Sequence, residues 1–454
     1  MTAEVTRASR ARPDTEVVFD PATYVDGVPF DALARMRRDS PVAWVPEIPV
    51  LGWPEGPGFW LVLRHADVES VLTRPKLFSS ALGATQIRDP GSAEALTYVR
   101  KMMLNMDPPE HSRIRRLLSR SFTPRAVARL EDRIRGHASA ICDRVLGQAE
   151  KGECDFAKDL AADLPLLTLA DVLGVPEQDR RLLFDWSNRV IGYQDPDYAT
   201  SAEFDASAGT EMAAEALSLR PEPDPVTGQM PDPRTREGMP DLYAYAHLLA
   251  ERKRRDPGDD VMSILLAQRD DDDGGQVSVA EFENMFWLFA VAGNETLRNG
   301  LPGGCIALLE HPPAADALRA DPDLLPVAVD EMLRWWTPVM TFRRTATEDC
   351  SIGGQRIRAG DKVVVSFTSA NRDEAVFDSP GGFDIRRQPN PHLAFGHGPH
   401  FCLGAHLARM EARVALTELF ERIRGYEVDE ANAVRVHSSN VRGFAHLPMS
   451  VEVR

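Results

Sequence analysis

The sequence predicts a mainly α-helical protein with a smaller β part, and three observations carry that expectation. From about Asp107 to roughly Glu310 the apolar residues recur at helical spacing with few interruptions. Within that region Ser278-Val279-Ala280-Glu281 has the form of a capping box, and the apolar run behind it reaches about Leu309. Such a helix is roughly 45 Å long, and no other in the chain reads as long. Beyond it, β-prone stretches cluster between Ser351 and Phe367.

In chain order, Met1 to Thr15 is polar and Arg-rich, lacks the apolar centre of a signal peptide, and is expected to be a flexible tail. Phe59 to Leu63 reads as a strand, and the helix through Val68, Val71 and Leu72 stops before Pro75. Residues 220–240 hold Pro221, Pro223, Pro225, Pro231, Pro233 and Pro240, a density that excludes both helix and central strand, so an irregular loop insertion is expected. Pro326 to Trp336 reads as a helix, Ser351 to Ile357 as a hairpin turning at Gly353-Gly354, and Lys362 to Phe367 as a strand. A last helix runs from Leu403 to Arg424 and is expected to end at Gly425.

Composition excludes several functions. With 454 residues and a net charge of −17, the chain is a poor partner for nucleic acid. No stretch approaches the ~20 apolar residues of a membrane anchor. Cys142, Cys154, Cys305, Cys350 and Cys402 form no C-x-x-C pair, which suits a reducing cytoplasm and excludes an iron–sulfur cluster on neighbouring cysteines. Length alone suggests two or three domains.

Three motifs carry chemistry. Phe395-Gly396-His397-Gly398-Pro399-His400-Phe401-Cys402-Leu403-Gly404 packs three glycines and a lone cysteine directly before a helix. The glycines allow close backbone approach to a ligand. The helix start biases the cysteine towards the metal-ligating thiolate; the alternative is a buried structural cysteine. Ala292-Gly293-Asn294-Glu295-Thr296 sets an acid beside an alcohol in mid-helix, with a glycine that leaves room for a diatomic ligand. The alternative is a threonine bonded to its own helix. Glu331 and Arg334, three apart on one helix face, form either a surface ion pair or part of a buried network.

Together and in this order, these motifs resemble those of the cytochrome P-450 superfamily, over roughly residues 59 to 450. The resemblance implies that residues 16–454 form one domain, against the length argument, with haem b buried between two long helices. It implies Cys402 as the axial ligand in the loop ending at Gly404, with Phe395 shielding the sulfur. Ala292 and Gly293 would border the oxygen site, Thr296 would bond the distal oxygen, and Glu295 would relay protons. Arg387, from Phe383-Asp384-Ile385-Arg386-Arg387, would complete a network with Glu331 and Arg334. The implied donors to the haem propionates are His111, Arg115, Arg344, His392 and His400.

The implied reaction inserts one atom of O₂ into a substrate C–H bond. Electrons would come from a separate ferredoxin and ferredoxin reductase, since no dinucleotide fingerprint or Cys-rich segment is present. Arg113, Arg116, Arg120, Arg409 and Arg413 are candidates for a basic docking face. The rivals are a peroxide-driven enzyme of the same fold and a haem protein that carries electrons or senses a gas. The Pro-rich loop falls between the helices the family calls F and G, over the substrate entrance.

Pocket candidates are Leu82, Ile87, Leu288, Phe289, Ala292, Val339, Met340, Phe342 and Phe444. Nearly all are apolar, which points to a terpenoid or steroid-like substrate hydroxylated at an aliphatic carbon. The runner-up is a small aromatic acid, hydroxylated or O-demethylated, held by Arg88 or Arg442.

Overall fold

The computed structural model describes residues 12–50, 54–148, 153–191, 204, 206–228, 230–233, 235–269, 275–436 and 438–454. The helices that build the site are α1 (Glu110–Ser119), α2 (Glu131–Gln148), α3 (Asp163–Leu173), α4 (Arg180–Ile191), α5 (Pro240–Arg255), α6 (Val279–Glu310), α7 (Leu325–Trp336) and α8 (Ala405–Arg422). The Ser278 capping box forms as read. Ser278 Oγ accepts from the Glu281 amide at 3.2 Å, and the Glu281 carboxylate accepts from the Ser278 amide at 2.8 Å. Behind this cap α6 runs for 32 residues, about 48 Å, and continues through Pro302.

Because α6 is apolar on nearly every face, it is surrounded rather than docked on one side. Its first half packs with Trp186 of α4 and Tyr245 of α5 around Phe282 and Phe286. Its second half packs with α2, α7 and α8 through Leu301, Ile306, Met332 and Leu416. The approach to α7 is close at Gly303, where a Cβ would lie 2.0 Å from the Trp336 ring. Between the two halves, Ala292 and Gly293 are exposed in mid-helix. Two core clusters therefore meet at a gap, and the gap is where the acid–alcohol motif sits.

The β part is a five-stranded sheet of β1 (Val42–Val45), β2 (Phe59–Val62), β3 (Phe78–Ser79), β4 (Thr341–Ala346) and β5 (Lys362–Ser366), in the order β1-β2-β5-β4-β3. Only β2 and β5 are parallel. The hairpin Cys350–Ile352 with Gln355–Ile357 turns at Gly353 and Gly354, both at positive φ. A second sheet pairs β6 (Ile423–Val428) with β7 (Pro448–Val453), which also carries Glu153–Asp155.

Several boundaries differ from the sequence reading. The last helix ends at Arg422, not Arg424, because Ile423 already pairs with Val453; Gly425 lies within β6 opposite Glu452. Phe367 opens a short helix rather than closing β5. The strand Glu153–Asp155 interrupts the long helical region. Pro240 is the first residue of α5, where its missing N–H costs nothing, so the irregular stretch stops at Met239. Of the expected tail, residues 1–11 lie outside the described residues. A helix already begins at Asp14, whose carboxylate meets Arg35 at 2.6 Å.

Candidate active site

The Cys402 loop is folded by its own backbone. The Gly396 amide donates to the Leu393 carbonyl at 2.9 Å, and the Cys402 amide donates to the Phe395 carbonyl at 2.9 Å. Gly398 has φ +68°, and a Cβ there would come within 2.5 Å of the Leu72 carbonyl oxygen, so only glycine fits without rearrangement. Phe395 is covered by the Arg409 guanidinium at 4.5 Å and is tilted against the rings of Phe401 and His392. Burial pushes the Cys402 thiol up, against the opposing pull of the Gly404 N–H and of Arg115 and Arg409. The Gly404 N–H at the helix start pulls towards the thiolate, and burial outweighs it.

Beside the loop lies a knot of two imidazoles and two guanidiniums, His111, His400, Arg115 and Arg344. The His111 and His400 rings are 4.1 Å apart. Burial, with Arg115 nearby, pulls His111 down to about 4, and burial, with Arg344 and His111, pulls His400 down to about 2. Arg344 is 3% exposed, its guanidinium donates among the described residues only to the Arg343 carbonyl, and it is drawn down to about 10 by burial. The nearby acid, Asp107, is already taken by Ser79 and the Ser80 amide. Nε2 of His111 is buried with no hydrogen-bond partner among the described residues. Such a cluster lacks an anion.

His392 does not join this knot. Its Nδ1 accepts from the Ala394 amide at 3.2 Å, and its Nε2 points to Asp330 at 3.2 Å, where Arg409 also docks at 2.7 Å. A carboxylate of the protein thus engages the ring expected to face a propionate.

On α6, Thr296 Oγ1 donates back to the Ala292 carbonyl at 3.2 Å. Glu295 is buried. Its carboxylate accepts from Ser187 at 3.3 Å, Arg298 at 3.4 Å and Asn299 at 3.5 Å, which ties the acid to α4. Gly293 serves a different contact from the one expected: a Cβ there would meet Leu169 of α3 at 3.0 Å, so its bareness lets two helices approach.

Glu331 and Arg334 are fully buried and joined by two 2.7 Å bonds. Arg387 adds a third at 3.1 Å, and the Asp384 amide donates to Glu331 at 2.9 Å. The remaining Arg334 donors reach the carbonyls of Asn371, Pro380 and Gly382. Every member is satisfied, which is the condition under which a buried charge network holds a backbone in place.

The sequence profile described as Cytochrome P450 matches residues 245–447. A steroid C26-monooxygenase of Rhodococcus jostii is 37% identical over 395 residues, 86% of this chain and 75% of that protein. A putative cytochrome P450 126 of Mycobacterium tuberculosis is 40% identical over 426 residues, 93% of this chain and 94% of that one. The chain belongs to the cytochrome P450 family. Among solved structures, a Mycobacterium marinum cytochrome P450, CYP268A2, in complex with pseudoionone superposes with a TM-score of 0.78 at 36% identity, covering 93% of this chain and 94% of that one.

The protein is thus a cytochrome P450 monooxygenase, and membership implies a haem. The anion-deficient knot of His111, Arg115, Arg344 and His400 fits a group carrying two carboxylates beside the Cys402 loop. Among the described residues, no cluster of His, Cys, Asp or Glu could hold a metal ion by itself, and no helix is long and apolar enough to cross a membrane.

A cavity of about 330 Å³ opens along α6 of this P450. Ile87, Leu288, Ala292, Val339 and Phe342 line it as the sequence suggested, together with Glu295 and Thr296. Four other candidates do not. Leu82 is 46% exposed on the surface. Phe289 stacks on Phe122, Met340 is buried under the chain at Asn440, and Phe444 stacks on Trp336 in the core. The structure adds Trp287 and Val291 of α6, Met102, Asn105 and Ser438–Val441, and Asp232 and Thr235 from the Pro-rich stretch. Helical period held the missing signal: from Leu288 and Ala292 it leads to Val291 and Glu295 and away from Phe289.

Neither arginine of the aromatic-acid reading is available. Arg88 lines the cavity but donates to the Ile48 and Pro54 carbonyls. Arg442 is stacked on Trp336 and bound to the Trp335 and Trp336 carbonyls.

Proposed function

We propose that residues 16–454 form one haem b domain, working in the cytoplasm, that hydroxylates an aliphatic carbon of a hydrophobic terpenoid or steroid-like substrate. The observation that carries this reading is the cavity itself. Its walls are largely aliphatic and aromatic, and it opens on Thr296 and Glu295. Relatives 36–38% identical to this chain, named steroid C26-monooxygenase and methyl-branched lipid omega-hydroxylase, support the same substrate class. The commitment of Arg88 and Arg442 to backbone carbonyls speaks against the small aromatic acid.

Haem, held by Cys402, supplies O₂ binding and O–O cleavage, which a thiolate ligand favours. The chain's own residues supply the rest. Cys402 would hold the haem as its thiolate, and coordination would offset the burial that otherwise favours the thiol. His111, Arg115, Arg344 and His400 pair with the propionates. Thr296 presents a hydroxyl that now donates to the Ala292 carbonyl and would be free to donate into the cavity instead. Glu295, reached from α4 through Ser187, is the acid that replenishes that proton. A gas sensor or electron carrier has no use for this acid–alcohol pair.

Electrons come from a ferredoxin and its reductase. The basic face expected for docking is less bare than the sequence suggests: Arg113 pairs with Glu281, Arg409 with Asp330 at 2.7 Å and Arg413 with Glu131 at 2.8 Å. The support for this partner is the family itself.

Titration of the haem protein with a terpene alcohol, a sterol ketone and a substituted benzoate, followed by the haem spin state, tests the reading. The first two are expected to bind, and tight binding of the benzoate alone overturns it. In parallel, Cys402→Ser is expected to abolish the thiolate signature of the ferrous carbon monoxide complex. Its retention would move the iron ligand elsewhere.

A further inference from the structure

Residues 80–92 belong to no helix or strand, yet they supply a continuous part of the cavity wall. From Ala84 to Gly91 every residue lines the cavity except Asp89. An irregular segment has no ladder of its own, so its anchors come from the elements around it. Near the start, the Thr85 carbonyl accepts from the Arg343 amide at 3.0 Å. The Thr85 amide and hydroxyl donate to Asn105 at 3.1 and 2.9 Å. Arg88 reaches the Ile48 and Pro54 carbonyls. Asp89 adds a tie of another kind, to two buried cations.

Arg343 on β4 and Lys362 on β5 are 3% and 4% exposed. Arg343 lies opposite Val364, and Thr345 opposite Lys362, so the two cations emerge on one face of the sheet. Asp89 bridges them, Oδ1 to Arg343 at 2.6 Å and Oδ2 to Lys362 at 2.8 Å. The Ile87 carbonyl is shared in the same way, at 3.3 and 3.1 Å. Against burial, the two cations hold the Asp89 carboxyl below its ordinary value. Lys362 also has Glu47 at 2.7 Å, but among the described residues Asp89 is the only carboxylate within ion-pair reach of Arg343. Lifting the segment off the sheet therefore leaves a buried guanidinium unpaired, which is costly. Gly83 serves the same approach: a Cβ there would collide with the Arg343 guanidinium.

We infer that Asp89 is a positioning residue, a clamp that holds residues 84–91 against the sheet and so fixes the wall on which the substrate is oriented. This rests on the reading of the cavity as the substrate site. Asp89 does not line the cavity and acts through its neighbours, chiefly Ile87 and Pro90 on either side of it. A wall that opens part of the time is not competent to bind, and the apparent affinity falls in proportion to the competent fraction.

The test compares the haem-loaded wild type with Asp89→Asn, which keeps the side chain's shape and removes its charge. Binding of a sterol ketone, read by the haem spin state, is expected to weaken about tenfold in the variant. Imidazole, a small ligand of the iron with no need of this wall, is expected to bind within about twofold of wild type. Amide hydrogen exchange in residues 85–91 is expected to quicken by at least about tenfold, with β2 and β5 unchanged. Equal weakening for both ligands, or loss of haem, would make Asp89 a residue of general stability and overturn the assignment. Unchanged exchange in residues 85–91 would show that the other anchors suffice, and overturns it too. Faster exchange with undiminished sterol-ketone binding would leave the clamp without a part in positioning. If the wild type does not bind the sterol ketone, the lipid reading fails, while the exchange measurement still decides the clamp.

Discussion

Thr296 is where a residue's ordinary habit and its chemical task compete. Mid-helix threonines commonly bond the carbonyl four residues back, and this one does. Removing the hydroxyl leaves the helix and the cavity wall otherwise intact, so Thr296→Ala is expected to bind substrate within about twofold of wild type. Product formed per reductant consumed is expected to fall about tenfold or more, with peroxide rising in step. Oxygen-electrode and peroxide assays on one preparation check both; unchanged coupling would leave the hydroxyl without a task. At this scale the sequence was legible wherever a residue type and its spacing had one physical use. Glu331, Arg334 and Arg387 meet as expected because a buried carboxylate needs more than one cation or donor. His392 was illegible, since nothing in its surroundings announces that Asp330, sixty-two residues earlier, takes its ring nitrogen.

Elements transmit the cost of such residues. Arg334 ties α7 to the carbonyls of Asn371, Pro380 and Gly382 as well as to Glu331, so it fastens the segment leading to the Cys402 loop. Arg334→Ala leaves Glu331 buried beside one cation fewer and is expected to cost about 3–5 kcal/mol. Denaturant titration measures that loss, and haem retained on gel filtration reports whether the loop survives. Helix α8 carries the opposite case. Glu411 is 4% exposed, one carboxylate oxygen has no partner, and burial raises its pKa well above the ordinary 4.5. The folded state therefore holds a proton that the unfolded chain releases above about pH 4.5. Stability falls as pH climbs from there towards the raised value. Glu411→Gln, which imitates the protonated acid, is expected to match wild type in melting temperature below pH 4.5 and to exceed it by a widening margin above. A constant gap across pH would refute this. Long elements with a cap and a clear period, such as α6, could be read nearly to the residue. The end of α8 could not, because Ile423 to Val428 takes its conformation from β7, which lies at the far end of the sequence.

For the whole molecule, cofactor and fold are linked through Arg344. Without a carboxylate partner this buried guanidinium is a burden on the empty protein; beside a propionate, as proposed above, it would become a gain. Arg344→Met is accordingly expected to act with opposite signs, leaving the haem-free protein as stable or more so while loosening haem by about tenfold or more. Melting curves of both forms, with transfer of haem to an acceptor protein, separate the two effects. A loss of stability in both forms would assign Arg344 to packing alone.

The irregular stretch before α5 has a bearing on how such an enzyme diversifies. Asp232 and Thr235 reach the cavity from a segment that belongs to no helix or sheet, while Arg236 moors it by resting on Tyr243 and Glu283. The thiolate loop, the Glu331 network and α6 are bound into the core and tolerate little change. This wall is moored to the core through Arg236. Insertions and deletions there can redraw the outline of an acceptable substrate while the reaction continues undisturbed. Chimaeras that exchange residues 220–235 between relatives, with Arg236 kept, are a direct way to inherit a new diet without relearning the chemistry.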